Sequence, residues 1–151
     1  MRLALYQPDI PQNVGTLLRT AACFGVGVDI IEPCGFPFSV KALQRSGMDY
    51  LDIVNVERHV SWEAFLEARE GHRLCLLTTK GAASHIETCF EADDILLLGR
   101  ESKGVPDEVH ARADVRVKIP MIPEARSLNV AISGAIVLSE ALRQTSAFPA
   151  L

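Results

Sequence analysis

No stretch of this 151-residue chain approaches the roughly 20 consecutive apolar residues that a membrane-spanning helix needs. The opening run Met1-Arg2-Leu3-Ala4-Leu5-Tyr6 gives way at once to Gln7-Pro8-Asp9, too short for the core of a secretion signal. A cytoplasmic location is therefore expected. Cys-x-x-Cys pairs are missing as well: Cys23, Cys34, Cys75 and Cys89 stand far apart, and His59, His72, His85 and His110 add no metal-ligand spacing. The cysteines then read as small core residues of a reducing compartment, the histidines as surface or loop residues, and no resident metal is expected. Repeats, low-complexity tracts and linkers are also missing, so residues 1–151 are expected to form one domain. Nor is there an excess of positive charge. Fifteen Lys and Arg against 19 Asp and Glu leave a net charge of −4, which argues against a large nucleic-acid footprint but leaves room for a local basic patch.

What the chain does contain is apolar: 48% hydrophobic residues against 23% charged, slightly more than a monomer of this size needs, which hints at an interface. Short Val/Ile/Leu-rich runs recur at Leu3–Tyr6, Val28–Ile31, Leu51–Val54, Leu74–Thr78, Ile95–Leu98 and Val115–Ile119, separated by helical patterns. Strands alternating with helices predict an α/β fold, with a mostly parallel sheet flanked by helices. Val14, Leu17, Leu18, Ala21 and Ala22 fall at i, i+3, i+4, i+7 and i+8, one buried face of a helix that Asn13 would cap at its start and Gly25 at its end. Arg19 lies off that stripe and projects towards solvent or a ligand. Ser61 is the expected cap of a second helix that turns Trp62, Phe65 and Leu66 inward. In the last helix, Leu128–Leu142, apolar residues occupy most of the circumference and the polar Asn129, Ser133 and Glu140 collapse onto one narrow stripe. Such a helix must be covered nearly all round, so a second copy of the chain is expected against it.

Three clusters carry candidate chemistry, each where a strand gives way to a loop or helix, the place where open parallel sheets bind ligands. The first, PDIPQNVGTLLR from Pro8 to Arg19, reads on its own as a capped helix with an exposed arginine. The second, LLLGRESKGVP from Leu96 to Pro106, has two glycines separated by four residues after a strand, as a phosphate-binding loop would. A triphosphate loop would continue with Lys and then Ser or Thr; here Val105 and Pro106 stand in those places. The third, IPMIPEARSLN from Ile119 to Asn129, is an extended apolar loop fixed by two prolines, suited either to a rigid connection or to holding a flat purine ring.

Taken together and in order, these blocks resemble the SPOUT superfamily of RNA methyltransferases. Asn13, Gly15 and Arg19 resemble its first motif, Gly99, Glu101 and Gly104 its second, and Pro120 with Ser127-Leu128-Asn129-Val130 its third. Within it, the YxPxIPxN block from Tyr6 to Asn13, IIEPCGF from Ile30 to Phe36, LTTKG from Leu77 to Gly81 and IPMIPEARS from Ile119 to Ser127 resemble the small bacterial enzymes that methylate the wobble ribose of tRNA. The resemblance runs from the first strand to the last helix. It implies a C-terminal deep trefoil knot, S-adenosylmethionine as cofactor and tRNA as substrate, leucine tRNAs in particular. It also implies a homodimer through the C-terminal helix. One position departs from the subfamily pattern: Ser139 stands where a tyrosine is common.

Carried onto matching positions, the resemblance places Leu77, Thr78, Gly99, Glu101, Gly104, Ile119, Met121, Ser127 and Leu128 at the cofactor. Gly99 and Gly104 would permit close backbone approach because they lack a Cβ. Arg19 is the expected catalytic residue, with Asn13 and Glu101 holding it or the loop in place. An arginine is a poor general base, its pKa exceeding roughly 12. Its expected role is to grip the adjacent phosphate and steer or polarise the ribose 2′-hydroxyl. Lys80, Lys103 and Arg126, with Arg100 beside them and Lys41 and Arg45 on an earlier element, would supply the local cationic surface for RNA. Three rivals remain open at this point: the same chemistry on another tRNA or rRNA ribose, a non-catalytic knotted RNA-binding protein, and a generic nucleotide-binding α/β protein.

Overall fold

A computed structural model describes residues 1–39, 41, 49–81 and 83–151; Arg45 lies outside them. In chain order the elements are β1 (Arg2–Tyr6), α1 (Pro11–Phe24), β2 (Gly27–Ile31), a short 3₁₀ turn (Asp49–Asp52), β3 (Val56–His59), α2 (Trp62–Ala68), β4 (Leu74–Leu77), β5 (Ala83–Ser84), β6 (Ile95–Leu98), α3 (Asp107–Arg112), β7 (Val115–Lys118) and α4 (Val130–Gln144). The strands form one parallel sheet in the order β3-β2-β1-β6-β4-β7-β5. Alternation along each strand decides which helix it meets. Leu3 and Leu5 of β1 and Leu96 and Leu98 of β6 face α1 and α4, whereas Ala4, Tyr6, Ile95 and Leu97 face Trp62 and Phe65 of α2 and Val109 of α3. Fully burying each such Leu or Ile stabilises the fold by about 1.5–3 kcal/mol. The two helical layers are thus specified by period-2 patterning in strands that read as continuous apolar runs.

Between β1 and β6 the strand order reverses, since β1 is followed in sequence by β2 on one side and neighbours β6 on the other. A crevice opens at such a switch point beyond the carboxyl ends of the strands. The segments that follow β1, β4, β6 and β7 all leave at those ends, and they hold the three clusters and the LTTKG block singled out above, while IIEPCGF runs on from β2. On the α1 face, Gly134 of α4 lets the two helices and the sheet approach closely: a Cβ there would meet Leu17 Cδ2 at 2.7 Å and Leu98 Cδ2 at 3.1 Å.

Several sequence expectations are corrected. The run Leu51–Val54 is not a strand; the 3₁₀ turn ends at Asp52 and the strand forms at Val56–His59 instead. As an edge strand β3 pairs only with β2, so its Glu57 and Arg58 face partly outward and its sequence lacks the apolar signature of a central strand. Asn13 does not cap α1. The helix begins two residues earlier with Pro11 in its first turn and Ile10 at the cap position, and Asn13 is buried. Gly25 ends α1 with φ 68°, as expected, and Ser61 Oγ accepts from Ala64 N at 3.2 Å at the start of α2. Of the cysteines only Cys75 is buried, its thiol pushed up to about 12 by desolvation; Cys34 is half-buried, and Cys23 and Cys89 are exposed.

His59 is not a surface residue. Its Nε2 lies 2.7 Å from Oδ1 of the fully buried Asp29, which also receives Arg69 NH2 at 2.7 Å and Arg2 Nε at 2.7 Å. Burial pushes the Asp29 carboxyl up, but the hydrogen bonds from Arg69, Arg2 and His59 outweigh it and hold the group below its usual value. Asp29, Glu57 and His59 offer three ligand atoms within 4.8 Å of one another. Two guanidiniums already occupy that space, so the cluster is a buried ion network ill-suited to a further cation.

Candidate active site

The three motifs meet through one chain of hydrogen bonds. Asn13 on α1 donates from Nδ2 to Glu101 Oε1 at 3.1 Å and accepts at Oδ1 from Asn129 Nδ2 at 2.9 Å. Asn129 in turn accepts from Ile132 N at 3.1 Å, capping α4. Glu101 reaches the loop after β1 as well: its Oε2 accepts from Asp9 N at 3.1 Å, and Asp9 Oδ1 accepts from Glu101 N at 3.2 Å. Ser102 Oγ donates to Asp9 Oδ2, and Arg100 donates to the side chain of Gln7, a residue held at φ 43°. A side chain in that left-handed region stores strain that its surroundings must offset.

Burial pushes the Glu101 carboxyl up, and the adjacent Asp9 carboxyl adds to the shift; Asp9 is held low by hydrogen bonds from Glu101 and Ser102. Neither Asn13 nor Glu101 has a recorded bond to Arg19. Their role in this geometry is to tie the GRESKG loop to α1 and to the start of α4, so of the two functions expected for them the structure supports holding the loop.

That loop closes on itself. Arg100 N donates to Gly104 O and Gly104 N to Arg100 O, both at 2.9 Å. A Cβ on Gly99 would stand 2.8 Å from Gly104 C, and Gly104 has φ 64°, so both positions require glycine. The missing Cβ of Gly99 thus lets the Gly104 backbone approach closely. Behind this turn lies a cavity of about 390 Å³. All nine residues expected at the cofactor line it: Leu77 and Thr78 after β4, Gly99, Glu101 and Gly104 after β6, and Ile119, Met121, Ser127 and Leu128 between β7 and α4. Val105, Asp107, His110 and Ser133 also line it and were not expected at the cofactor. Ser133 belongs to the narrow polar stripe of the last helix, the one sequence signal that marked it out.

Lys80 and Lys103 are exposed at the cavity edge and Arg126 is exposed on the loop before α4. Arg100 is half-buried beside Gln7, and Lys41 is exposed. Arg19 does not line the cavity. It sits on the exposed side of α1, six residues beyond Asn13 and hence roughly 9 Å further along the helix axis. Its guanidinium lies over the ring of Tyr50, 4.8 Å from the centroid.

A cavity beyond the carboxyl ends of β4, β6 and β7, tied to α1 through Asn13, has known counterparts. The profile of the SpoU rRNA Methylase family matches residues 1–139. The chain belongs to that family. A relative from Beijerinckia indica, a tRNA (cytidine(34)-2′-O)-methyltransferase, is 58% identical over 147 residues, covering 96% of this chain and 92% of its own. A solved structure described as giving insight into the 2-OH methylation of C/U34 on tRNA superposes with TM-score 0.88 at 45% identity, over 95% of this chain and 94% of the other. The SpoU methyltransferase AviRb from Streptomyces viridochromogenes, solved with the cofactor AdoMet, gives TM-score 0.83 at 26% identity over 95% of this chain and 60% of its own. This SpoU-family chain therefore shares its parallel α/β architecture with methyltransferases of known structure.

Proposed function

We propose that the chain is a tRNA ribose 2′-O-methyltransferase that uses S-adenosylmethionine to methylate the wobble nucleotide, cytidine or uridine 34, of leucine tRNAs. The observation that carries this reading is the single cavity into which nine residues from three distant segments converge, locked by the Glu101–Asn13–Asn129 chain. Support comes from relatives named for that reaction over nearly the whole chain. In this reading residues 1–151 act as one catalytic domain, the segments around the cavity thread the trefoil knot of the superfamily, and the enzyme works in the cytoplasm.

The cavity suits the cofactor. Its volume lies in the range of small-molecule sites, and Leu, Ile, Val and Met supply eight of its lining residues, set among polar and charged groups that include Thr78, Glu101, Asp107, His110, Ser127 and Ser133. The IPMIPE loop is not extended throughout, contrary to what its sequence suggested: Pro123 and Glu124 form a turn in which Ile122 O accepts from Ala125 N at 3.0 Å. When bound, S-adenosylmethionine supplies an electrophilic methyl group. The protein's work is then alignment of the attacking oxygen with that methyl, exclusion of water by the apolar walls, and control of charge at the ribose. Arg19 would grip the phosphate beside the target ribose and steer the 2′-hydroxyl toward the methyl group.

Since Arg19 does not line the cavity of its own chain, a two-fold dimer through α4, which packs on α1, would deliver it to the cavity of the partner. Ile132 is 51% exposed, Ser139 is exposed and Ala135 and Ile136 are half-exposed on the side of α4 away from the core, which supports such a contact. Lys80, Lys103 and Arg126 would meet the tRNA backbone. The test is methyl transfer from labelled S-adenosylmethionine to unmodified tRNA. Label on nucleotide 34 is expected; label on another tRNA or rRNA ribose would keep the chemistry and discard the target, and cofactor binding without any transfer would point to a non-catalytic RNA-binding protein.

A further inference from the structure

Arg19 stands over an aromatic ring, as Arg58 does over Phe38, but Arg58 also pairs with Glu32 whereas Arg19 pairs with no carboxylate among the described residues. Arg2, Arg69, Arg73 and Arg143 each meet a carboxylate within 3 Å, so their charge is spent inside the fold. The recorded partner of Arg19 is Tyr50: the guanidinium carbon stands 4.8 Å from the ring centroid, and NH2 donates to the phenol oxygen at 3.5 Å, the outer limit of a hydrogen bond. The ring itself is anchored. Tyr50 lies in the 3₁₀ turn Asp49–Asp52, is half-buried, and packs against the core cluster shared by α1 and α4.

The chemistry of that contact matters. An aromatic face attracts a guanidinium through its quadrupole, fixing the direction of the fork without neutralising it. A carboxylate would fix it as well but would compete with any anion that Arg19 is to bind. A free side chain would keep its charge but lose rotamer entropy on binding, and so would bind more weakly. Tyr50 supplies orientation and leaves the charge available. We infer that Tyr50 is a positioning residue for Arg19, pre-aligning its guanidinium for the phosphate of the incoming RNA. This rests on the reading of Arg19 as the residue that grips substrate.

The experiment compares Tyr50→Phe, Tyr50→Leu, Arg19→Ala and the Arg19→Ala/Tyr50→Leu double variant. It measures kcat and KM for tRNA, single-turnover transfer of labelled methyl, and S-adenosylhomocysteine affinity by calorimetry. Tyr50→Phe keeps the ring and is expected within about twofold of wild type, because the phenol bond is long. Tyr50→Leu removes the stack and is expected to lower kcat/KM for tRNA about tenfold, with homocysteine-analogue affinity unchanged. In the Arg19→Ala background the same change is expected to do nothing further, since a residue acting through another shows no independent effect.

A Tyr50→Leu enzyme with wild-type kcat/KM, or one whose loss is undiminished when Arg19 is already gone, would overturn the inference. If Arg19→Ala itself keeps full activity, the underlying role of Arg19 fails, and that result is distinct from either. Should Tyr50→Leu not fold, as judged by its melting curve, Tyr50→Met restores the bulk without the aromatic face and takes its place with the same expectations.

Discussion

Arg19→Lys and Arg19→Ala separate charge from shape. The forked guanidinium can engage two phosphate oxygens at once, whereas a lysine ammonium is a point charge. If geometry is what Arg19 provides, both variants lose most of their methyl transfer, on the order of a hundredfold in kcat, and S-adenosylhomocysteine binding is untouched because the contact Arg19 makes is with the RNA phosphate. A lysine variant that kept most of its activity would show that charge suffices. Asp29 is the clearest stability residue. Asp29→Asn leaves Arg2 and Arg69 without their buried carboxylate and is expected to cost about 3 kcal/mol near neutral pH, read from urea unfolding. The pH dependence has a definite sign. Because the folded pKa of Asp29 lies below the unfolded value of about 3.9, its contribution is complete above that value and fades as pH falls through the folded one. The gap between wild type and variant should therefore close below about pH 4.

Among elements, α4 joins the core to the site. Its buried side carries Gly134 against Leu17 and Leu98, while Asn129 and Ser133 at its start belong to the hydrogen-bond chain and the cavity. Gly134→Val would drive methyl groups into Leu17 and Leu98, costing about 1–3 kcal/mol in a thermal melt and loosening α4 from α1, with weaker cofactor binding as the consequence. At this scale much was readable beforehand. Short Val/Ile/Leu-rich runs identified β1, β2, β4, β6 and β7 to within a residue or two, and the i, i+3, i+4 stripe identified α1. What escaped has physical reasons. β3 is an edge strand whose charged residues mask its period, and β5 is only two residues long. Asn13 has the side chain of a helix cap, yet long-range bonds to Glu101 and Asn129 hold it one turn inside the helix, and nothing local in the sequence encodes partners 88 and 116 positions away. Asp9, Ser133 and Tyr50 were missed for the same reason: each matters through a contact made only after the strands are ordered.

For the molecule as a whole, the arrangement separates the residues that line the cavity from the arginine that should act on substrate. If two copies combine them, a mixture of Arg19→Ala and Gly99→Ala chains, each inactive alone, should recover activity. With random pairing half the dimers are mixed, and each holds one intact composite site, so about a quarter of wild-type activity is expected. No recovery after co-refolding would place Arg19 and its cavity in one chain. The family was legible from the ordered blocks Asn13–Arg19, Gly99–Gly104 and Ile119–Asn129, whereas the cavity itself is lined from the segments after β4, β6 and β7, with Asn13 joined to it through Glu101. Composition and charge alone would have left only a globular α/β protein.

The most direct measurement uses a leucine tRNA transcript carrying a single 2′-deoxyribose at nucleotide 34, compared with the all-ribose transcript, in transfer of labelled methyl by the purified protein. The account predicts labelling of the all-ribose tRNA and loss of that label when the one oxygen is removed, with tRNA affinity largely retained. Equal labelling of both transcripts would contradict it.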